Sequence, residues 1–436
     1  MPARRIAIIG AGSAYLPSVI RGVIHRAADL ADSELVLHDL DHERLGLMAA
    51  LAAKMLAAAG ADLSVRREEA LPPALAGADF VLTTFRPGGM RARHLDESIP
   101  LRHGVVGQET AGPGGFLMAC RSVPVLLEIA RLLERATPGA WIVNYTNPTS
   151  VVTAAVLRYS SARVLGLCDQ HVGDQALWAE LLGWPAERLE ADWIGLNHAT
   201  WAERVRLDGR DASAELRERL TRLAVPDVEG PEGTLASVSQ LVELARALEL
   251  LPNSYARYYW FHDEVVAEQR AKGSTRAQEV MARLPALYRD YAAAAASDRP
   301  EPSAERGGRA HGDFAVDVIC AIAADERRRM IVNTRNQGAI DGLEPDAVVE
   351  VPSLVGAGGA AVRAMGPLPR SVRGLTMAIH EYEWLAAEAA ATGSRRLALQ
   401  ALMAHPFIRS KPVAERILRE GLAAHRDHLP QFFRES

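Results

Sequence analysis

The sequence predicts an α/β fold whose amino-terminal part is a parallel sheet with crossover helices. Short apolar segments with the character of buried strands alternate there with longer helical segments, and glycines directly follow the first of these strands. Such alternation favours a parallel sheet, because parallel neighbours need a helical connection. The predicted strands cover residues 5–9, 34–38, 80–85 and 141–145, and the predicted helices cover residues 14–30, 43–59 and 124–136.

The pattern changes after about residue 170, where short apolar runs alternate with long helical stretches. Residues 226–233 and 297–308 are expected to be exposed loops. The sequence therefore predicts two domains, a Rossmann-type domain over residues 1–170 and an α+β substrate domain over residues 171–436. The long helices of the second domain are expected at residues 235–251, 276–296 and 375–390.

The composition excludes several function classes. The 436 residues are 49% hydrophobic and carry a formal net charge of -5, so no overall positive field would attract nucleic acid or an anionic membrane. No apolar stretch reaches membrane-spanning length, and the apolar run at residues 6–9 is too short for a secretory signal. Three scattered cysteines fit a reducing compartment. We therefore expect a cytoplasmic protein that acts on small molecules.

A dinucleotide site is predicted where the first strand ends. Gly10, Gly12 and Ser13 lie between that strand and the following helix, where backbone N–H groups and the helix dipole can hold a pyrophosphate. The usual third glycine is missing, because Tyr15 lies in its region. Asp39, which ends the second strand, can accept hydrogen bonds from both ribose hydroxyls and would repel a 2′-phosphate, which favours NAD over NADP. The alternative is that Asp39 only caps the following turn.

Eleven short motifs are spread over most of the chain. They are residues 10–15 (GAGSAY), 85–90 (FRPGGM), 96–101 (DESIPL), 107–112 (GQETAG), 144–148 (NYTNP), 166–169 (GLCD), 195–198 (GLNH), 255–259 (YARYY), 275–280 (TRAQEV), 306–308 (RGG) and 332–336 (VNTRN). Together and in this order they resemble the family 4 glycoside hydrolases, which are NAD-dependent exceptions to the two-carboxylate scheme of glycosidases. No single motif is specific, whereas the set is.

The resemblance implies a fold like that of lactate and malate dehydrogenases and a redox elimination mechanism. NAD takes a hydride from C3 of the sugar, the resulting ketone acidifies the C2 proton, and a base removes that proton. The aglycone then leaves C1, water adds to the enone, and NADH returns the hydride to C3. Such a site needs a hydride acceptor, an electrophile for the enolate, a base and a grip on the remote end of the sugar.

The resemblance also implies a catalytic set. Cys168 and His198 match the family's ligands for a divalent metal, usually manganese, which would polarise the C2 and C3 oxygens. Tyr255 matches the proposed base, and Asp169 matches a candidate acid for the leaving group in relatives that cleave α-linked substrates. The residues alone leave other interpretations open, because their spacing does not make Cys168 and His198 a metal site and Tyr255 lies in an aromatic cluster that suits a core.

For the substrate, the resemblance implies an anionic group at C6. Arg93, Asn147 and Arg276 match positions that hold the phosphate of 6-phospho-sugars, and Ser13 is expected near the same end. Arginines bind tetrahedral oxyanions through charge-assisted hydrogen bonds of fixed geometry. We therefore expect a 6-phospho-glycoside, with α-linkage favoured by Asp169. A 6-sulfonate, as in a sulfoquinovoside, would be held similarly and is the alternative.

The chain departs from the family pattern in two places. Gln170 and His171 follow Asp169, where relatives commonly place one residue and then proline. This change is expected to reshape the pocket around C1 or C2, and it makes His171 a possible competing metal ligand. His311 stands where phospho-β-glucosidase relatives tend to have tyrosine. Both departures bear on substrate and anomer and leave the redox machinery intact.

Two other functions fit parts of the sequence. A 2-hydroxy acid dehydrogenase on the same fold would need a histidine base oriented by a carboxylate, for which His198 is the candidate, and would leave Cys168 without a role. A non-catalytic sensor of NAD or sugar would not need the cysteine, the histidine, Tyr255 and both arginines together. As in relatives of the family, we expect a homodimer or homotetramer.

Overall fold

The computed structural model describes residues 2–223, 238–303 and 310–434, and a nine-stranded sheet lies at its centre. Six of the strands are parallel: β1 (Arg5–Ile9), β2 (Ser33–His38), β3 (Leu63–Glu68), β4 (Phe80–Thr83), β5 (Trp141–Asn144) and β6 (Arg163–Gly166). They stand in the order β3-β2-β1-β4-β5-β6, which is that of a doubly wound dinucleotide-binding sheet. The predicted parallel sheet is therefore confirmed.

Six helices connect or flank these strands. They are α1 (Leu16–His25), α2 (His42–Ala58), α3 (Leu71–Leu75), α4 (Gly89–Arg102), α5 (Gly112–Ala136) and α6 (Thr149–Tyr159). The predicted helices are confirmed with shifted ends, since α1 begins at Leu16 and α5 begins at Gly112 rather than at residue 124. Pro113 is accommodated in the first turn of α5, where its missing N–H costs no helical hydrogen bond, and Pro124 lies inside the helix.

The rest of the described chain supplies eleven strands and ten helices. The strands are β7 (Leu189–Ala191), β8 (Ile194–Leu196), β9 (Ala199–Ala202), β10 (Val205–Leu207), β11 (Arg210–Asp211), β12 (Leu251–Pro252), β13 (Arg328–Arg335), β14 (Ile340–Asp341), β15 (Val348–Gly356), β16 (Gly359–Val362) and β17 (Gly366–Pro367). The helices are α7 (Gln170–Leu182), α8 (Ser213–Arg222), α9 (Val238–Leu248), α10 (Arg257–Trp260), α11 (His262–Lys272), α12 (Arg276–Ala296), α13 (Ala310–Ala323), α14 (Arg370–Thr392), α15 (Arg395–Ala404) and α16 (Lys411–Ala424). Short 3-10 helices lie at Ala186–Arg188, Ser254–Ala256, Arg426–His428 and Pro430–Phe432.

The long helices predicted in this second region are confirmed. α12 has the predicted bounds, α14 contains the predicted segment, and α9 lies within the segment predicted at residues 235–251. Residues 297–303 form no helix or strand, as expected of a loop. The predicted loop at residues 226–233 and the motif at residues 306–308 lie outside the described residues.

Three strands of the second region complete the central sheet. β13 pairs antiparallel with β6 through Asn333 and Gly166, β15 pairs with β13, and β16 pairs with β15. Only glycine fits at this junction, because a Cβ atom on Gly166 would lie 2.5 Å from Oγ1 of Thr153 and 2.9 Å from Cβ of Asn333. The two predicted domains thus share one sheet, and a domain boundary at residue 170 stays a prediction.

The core lies on both faces of this sheet. In β1, Ile6 and Ile8 pack on one face against α1, α2, α12 and α13, while Ala7 and Ile9 pack on the other against α5, α6 and α14. Strands covered on both faces are apolar at successive positions, as is usual in parallel sheets. The loops that follow β1, β2, β4, β5 and β6 leave the sheet at its carboxyl edge, where ligands of such sheets bind.

Candidate active site

The glycine turn after β1 is packed tightly against neighbouring backbone. Gly10 has a φ of +96°, which a side chain would strain, and a Cβ atom there would lie 2.7 Å from the carbonyl oxygen of Thr84. The N–H of Gly10 donates to the carbonyl of His38 at 2.9 Å, and the N–H of Ser13 donates to the carbonyl of Gly10 at 3.0 Å. The turn therefore lies between the ends of β2 and β4 and requires glycine at its first position.

Asp39 stabilises the same turn. Its Oδ2 accepts from the N–H of Gly12 at 2.8 Å, and its Oδ1 accepts from the N–H of Asp41 at 2.9 Å. The hydroxyl of Tyr288 donates to the carbonyl of Gly12 at 2.7 Å from the other side. The suggested capping role of Asp39 is thus present, but a carboxylate has about four acceptor positions and retains capacity for two further donors.

Cys168 and His198 lie in contact although thirty residues separate them. Cys168 lies just beyond β6 and His198 lies in the turn between β8 and β9, with Sγ 3.5 Å from Nε2. Nδ1 of His198 lies 3.2 Å from Oγ1 of Thr110, whose hydroxyl donates to Oε1 of Gln108 at 3.0 Å. The Nδ1–H therefore donates to Thr110, and the lone pair of Nε2 faces the thiol, as a metal ligand requires.

Burial governs the protonation of this pair. It raises the pKa of the Cys168 thiol well above its usual value, and the Glu350 and Asp169 carboxylates raise that pKa further. Burial lowers the pKa of His198 to about 4, so the imidazole is neutral at pH 7. A thiol and a neutral imidazole held together fit a transition-metal ion, whose charge would favour the thiolate. Among the described residues, no cluster of three or more metal-binding side chains is found.

Tyr255 stacks on His198. It lies in the 3-10 turn Ser254–Ala256, and its ring centroid is 3.8 Å from that of the imidazole, with the ring planes 3° apart. Its N–H donates to Oδ1 of Asn253 at 2.9 Å, which fixes the turn. Burial raises the pKa of the phenol well above its usual value, and a hydrogen bond with Thr110 opposes that rise. The residues predicted as metal ligands and base thus form one buried cluster.

Asp169 lies half-buried directly before α7, next to this cluster. The negative charge of its carboxylate raises the pKa of His198 and of the Cys168 thiol. It makes no capping hydrogen bond to the helix that follows. Its position is compatible with a proton donor at the edge of the cluster.

Glu97 connects Arg93 with the start of α12, where Arg276 lies. Arg93 is 8% exposed in α4, and its Nε donates to Oε1 of Glu97 at 2.7 Å while its Nη1 lies 3.0 Å from Oε1 of Glu109. The other oxygen of Glu97 accepts from the N–H of Ala277 at 2.8 Å, beside Arg276 at the start of α12. Glu97, to which the sequence analysis gave no role, thus joins α4 to the start of α12, whereas the Arg276 guanidinium donates to Oε2 of Glu279 at 3.2 Å.

Two more polar side chains belong to this part of the site: Asn147, which was predicted, and Arg86, which was not. Arg86 pairs with the second oxygen of Glu109, so a third guanidinium joins the network. Asn147 follows β5, is half-buried, and accepts from the hydroxyl of Thr149 at 3.3 Å. Within the described part of the chain, no hydrogen bond connects Asn147 with either predicted arginine. Among the described residues, the hydrogen bonds and ion pairs of Arg93, Arg276 and Asn147 therefore do not join these three predicted phosphate-binding residues to one another.

A buried carboxylate that the sequence analysis missed lies next to the metal-binding pair. Glu350, on β15, accepts from Nδ2 of Asn333 at 3.2 Å and from Nδ2 of Asn197 at 3.5 Å. Burial raises its pKa to about 8. No local signal marks this residue, because it reaches the site only through the antiparallel pairing of β15 with β13 and of β13 with β6.

The residues that depart from the family pattern contact neighbouring elements. The Gln170 side chain donates to the hydroxyl of Ser254 at 2.9 Å. His171 is buried with its ring edge-on to Phe314, at a centroid distance of 5.4 Å, and burial lowers its pKa to about 4. Competition of His171 for a metal stays a prediction. The side chain of His311 lies outside the described ones.

Two family models match the chain. One, described as Family 4 glycosyl hydrolase, matches residues 5–184, and the other, described as Family 4 glycosyl hydrolase C-terminal domain, matches residues 193–408. The chain belongs to family 4 of the glycosyl hydrolases. The predicted family and the predicted class of enzyme are therefore confirmed.

Relatives of this family 4 glycosyl hydrolase span its whole length. A Bacillus subtilis protein named "Probable 6-phospho-beta-glucosidase" is 37% identical over 98% of each chain. The 6-phospho-alpha-glucosidase of Leptotrichia buccalis is 31% identical, also over 98% of each chain. The 6-phospho-beta glucosidase of Thermotoga maritima, determined with manganese, NAD+ and glucose-6-phosphate, has a TM-score of 0.86 and 30% identity over 98% of this chain and 99% of that chain.

A more distant structure shows the fold alone. The malate dehydrogenase of Plasmodium falciparum is only 13% identical, yet it covers 89% of this chain and 99% of its own with a TM-score of 0.57. The predicted likeness of this family 4 enzyme to the hydroxy acid dehydrogenases is thus confirmed at the level of the fold.

Proposed function

We propose that this family 4 enzyme cleaves 6-phospho-glycosides by transient oxidation at C3, deprotonation at C2 and elimination of the aglycone. The observation that carries the proposal is the buried contact of Cys168, His198 and Tyr255, which brings a thiol, an imidazole and a phenol together at the carboxyl edge of the sheet. Relatives named for 6-phospho-glucosides, one of them with NAD+, manganese and glucose-6-phosphate bound, support the substrate class.

The chain would hold both cofactors with residues that fit them. At Gly10 and Gly12 the turn leaves no room for a Cβ atom, as a pyrophosphate-binding turn requires, and Asp39 retains acceptors for ribose hydroxyls. Cys168 and His198 would hold the divalent ion, Mn²⁺. When bound, NAD supplies a hydride acceptor for C3 and the ion polarises the C2 and C3 oxygens.

The remaining chemistry belongs to the chain's own side chains. Once C3 is a ketone, the C2 proton is acidic, and the phenolate oxygen of Tyr255 would take it. Burial opposes formation of that phenolate, so a nearby positive charge is needed, and the stacking on His198 keeps the phenol beside the ligand nitrogen. Asp169 would give a proton to the glycosidic oxygen as the aglycone leaves C1.

The C6 phosphate would be held by Arg93 and Arg276, with Ser13 and Asn147 as further members of the site. Glu97 and Glu109 hold the Arg93 guanidinium in one orientation inside the protein, which suits the fixed geometry of a phosphate contact. A 6-sulfonate would use the same donors, but the relatives described above are named for 6-phospho-sugars and not for sulfonates.

The preferred anomer is a finer part of the proposal. Asp169 favours α-linked substrates by the resemblance described above. The related proteins carry both names, since the B. subtilis relative is named for a β-glucoside and the L. buccalis relative for an α-glucoside. α-Cleavage therefore stays a prediction.

The contacts of His198 speak against the rival dehydrogenase. Its Nδ1 pairs with the hydroxyl of Thr110, whereas a histidine base in a hydroxy acid dehydrogenase is oriented by a carboxylate. A non-catalytic sensor would give no reason for a thiol, an imidazole and a phenol to converge in one buried cluster.

The test is hydrolysis of matched α- and β-p-nitrophenyl hexosides that carry a 6-phosphate, a 6-sulfonate or a free 6-hydroxyl, with NAD and Mn²⁺ present. We expect turnover of a 6-phosphate substrate, loss of activity with a chelator, and no net NADH. Arg93→Ala should raise KM for that substrate, while Arg91→Ala, an exposed control on the same helix, should not. Preference for the neutral sugar, or net NADH at equal turnover, would contradict the proposal.

The cellular setting and assembly are also proposals. Within the described residues, none of the helices combines the length and the apolar character needed to cross a lipid bilayer. We infer that the enzyme acts in the cytoplasm as a homodimer or homotetramer, which fractionation and light scattering would test.

A further inference from the structure

One face of α7 contacts the segment that carries Tyr255. This helix starts at Gln170, directly after Cys168 and Asp169. Gln170, Asp174 and Trp178 follow one another at intervals of four residues, so their side chains lie along a single face of the helix. Helix α7, which begins two residues after the predicted metal ligand Cys168, therefore presents three polar groups along one face.

Each of the three residues makes a hydrogen bond to Pro252 or Ser254, the residues that precede Tyr255. Nε1 of Trp178 donates to the carbonyl of Pro252 at 3.1 Å. Oδ2 of Asp174 accepts from the N–H of Ser254 at 3.3 Å, and Nε2 of Gln170 donates to Oγ of Ser254 at 2.9 Å. The backbone of the Tyr255 turn is thus held along the length of α7.

Gln170 also makes a hydrogen bond to Asp174, which lies on the same face of α7. Its Nε2 donates to Oδ1 of Asp174 at 3.0 Å as well as to Ser254. Asp174 is 2% exposed, and its two oxygens accept from Gln170 and Ser254. One N–H of the Gln170 amide therefore joins α7 to the turn, while the other holds Asp174, which itself accepts from the turn; this arrangement needs a side chain with two donors on one atom.

We propose that Gln170 is a positioning residue that sets the distance between Tyr255 and the Cys168–His198 pair. The inference rests on the proposed function, in which the phenol of Tyr255 takes the C2 proton. Gln170 does not touch the reacting atoms; it acts through Ser254, which directly precedes Tyr255 in the chain. Gln170, one of the residues at which this chain departs from the family pattern, would thus set the position of the base.

The experiment compares Gln170→Ala with Gln175→Ala in the full enzyme supplied with NAD and Mn²⁺. Gln175 is a matched control, because it lies on the same helix and makes similar hydrogen bonds, to the carbonyl of Leu189 and from the N–H of Ala191, on another side. The measurements are kcat, KM, the dissociation constant of Mn²⁺, the thermal midpoint, and loss of deuterium from C2 of a labelled 6-phospho-glycoside.

Gln170→Ala should lower kcat and the rate of C2 deuterium loss about 10- to 100-fold, since small displacements of a reacting group have effects of this size. KM, Mn²⁺ affinity and the thermal midpoint should stay close to those of Gln175→Ala. In a Tyr255→Phe background the same change should have almost no further effect on kcat, because the group through which Gln170 acts is already gone.

Three results would overturn the inference, and they separate it from the proposed function. If Tyr255→Phe leaves C2 exchange unchanged, the assigned base is wrong and the positioning role is lost with it. If Tyr255→Phe is impaired but Gln170→Ala behaves like Gln175→Ala, only the positioning role is wrong. The same holds if Gln170→Ala lowers kcat equally in the Tyr255→Phe background. Should Gln170→Ala fail to fold, Ser254→Ala, which removes the hydroxyl that accepts from Gln170, must show the same pattern.

Discussion

The ring of Tyr255 lies flat on the imidazole of His198, with centroids 3.8 Å apart and planes 3° from parallel. This contact links the proposed base to a proposed metal ligand. Because burial raises the pKa of the phenol, Tyr255 would become a base only with help from positive charge at that ligand. In the proposed mechanism the stacking would therefore connect metal binding with proton removal from the sugar.

Tyr255→Phe should keep the stacked ring and lose the proton acceptor. We expect kcat to fall by roughly 10²- to 10⁴-fold, the usual contribution of a general base, while the affinity for Mn²⁺ changes little. Tyr259→Phe is the control, because Tyr259 belongs to the same segment but packs against His405 and Phe407. Steady-state kinetics on a 6-phospho-glycoside measures both variants. Equal rates for them would remove Tyr255 from the mechanism.

Cys168→Ser should weaken metal binding. The Cys168 thiol lies 3.5 Å from His198, and a hydroxyl is a poorer ligand than a thiolate, so we expect the dissociation constant of Mn²⁺ to rise at least about tenfold. Cys120→Ser, at a buried thiol on α5, should leave it unchanged. Electron paramagnetic resonance of free Mn²⁺ in a titration gives the constant directly, without activity. An unaltered constant in Cys168→Ser would place the metal elsewhere.

Asp39→Ala should weaken NAD binding by roughly 10- to 100-fold, the value of one or two hydrogen bonds to a charged group. Asp41→Ala is the matched control, since Asp41 caps α2 and lies two residues away. Calorimetric titration with NAD and with NADP separates the two roles of Asp39. If Asp39 serves only the turn, both variants will bind NAD equally and neither will gain affinity for NADP.

The stability of the enzyme should depend on pH through Glu383. This residue of α14 accepts from the Ser150 hydroxyl at 2.5 Å, and burial raises its pKa from 4.5 to about 8. The folded state therefore holds a proton that the unfolded state releases, so the free energy of unfolding should fall as pH rises from about 4.5 to 8. Once the carboxyl is fully ionised in the folded state, the loss in the free energy of unfolding is roughly 4–5 kcal/mol by linkage.

Glu383→Gln should flatten this dependence, because an amide has no proton to lose in that range. Glu381→Gln, at an exposed position of the same helix, should keep the wild-type slope. Urea unfolding at pH 5, 6.5 and 8 gives the comparison. If the free energy of unfolding depends on pH equally in wild type and Glu383→Gln, the Glu383 carboxyl does not cause the dependence.

Local signals in the sequence sufficed for four of the six parallel strands. The strands β1, β2, β4 and β5 are short apolar runs, and the turn at Gly10 together with Asp39 follows from the strand–turn–helix order. Helix α4 is not marked in this way, because it buries Arg93 and Glu97, charged residues that a search for apolar periodicity treats as exposed. Their mutual ion pair makes that burial possible.

The site itself was only partly visible in the sequence. The roles suggested for Cys168, His198 and Tyr255 came from the resemblance, since a thiol, an imidazole and a phenol so far apart in sequence indicate nothing by spacing. Thr110 stood in a quoted motif without a role, and Glu350 lay in no motif. These two reach the cluster by tertiary contacts that join distant segments, and no local pattern encodes such contacts.

The central claim is that the sugar loses its C2 proton during cleavage. Its most direct test is hydrolysis of a 6-phospho-glycoside deuterated at C2, in ordinary water, with NAD and Mn²⁺ added. The account predicts a product that has exchanged its label for hydrogen, a slower rate than with the unlabelled substrate, and no reaction without NAD. Full retention of deuterium at an unchanged rate, with equal activity of NAD-free protein, would contradict it.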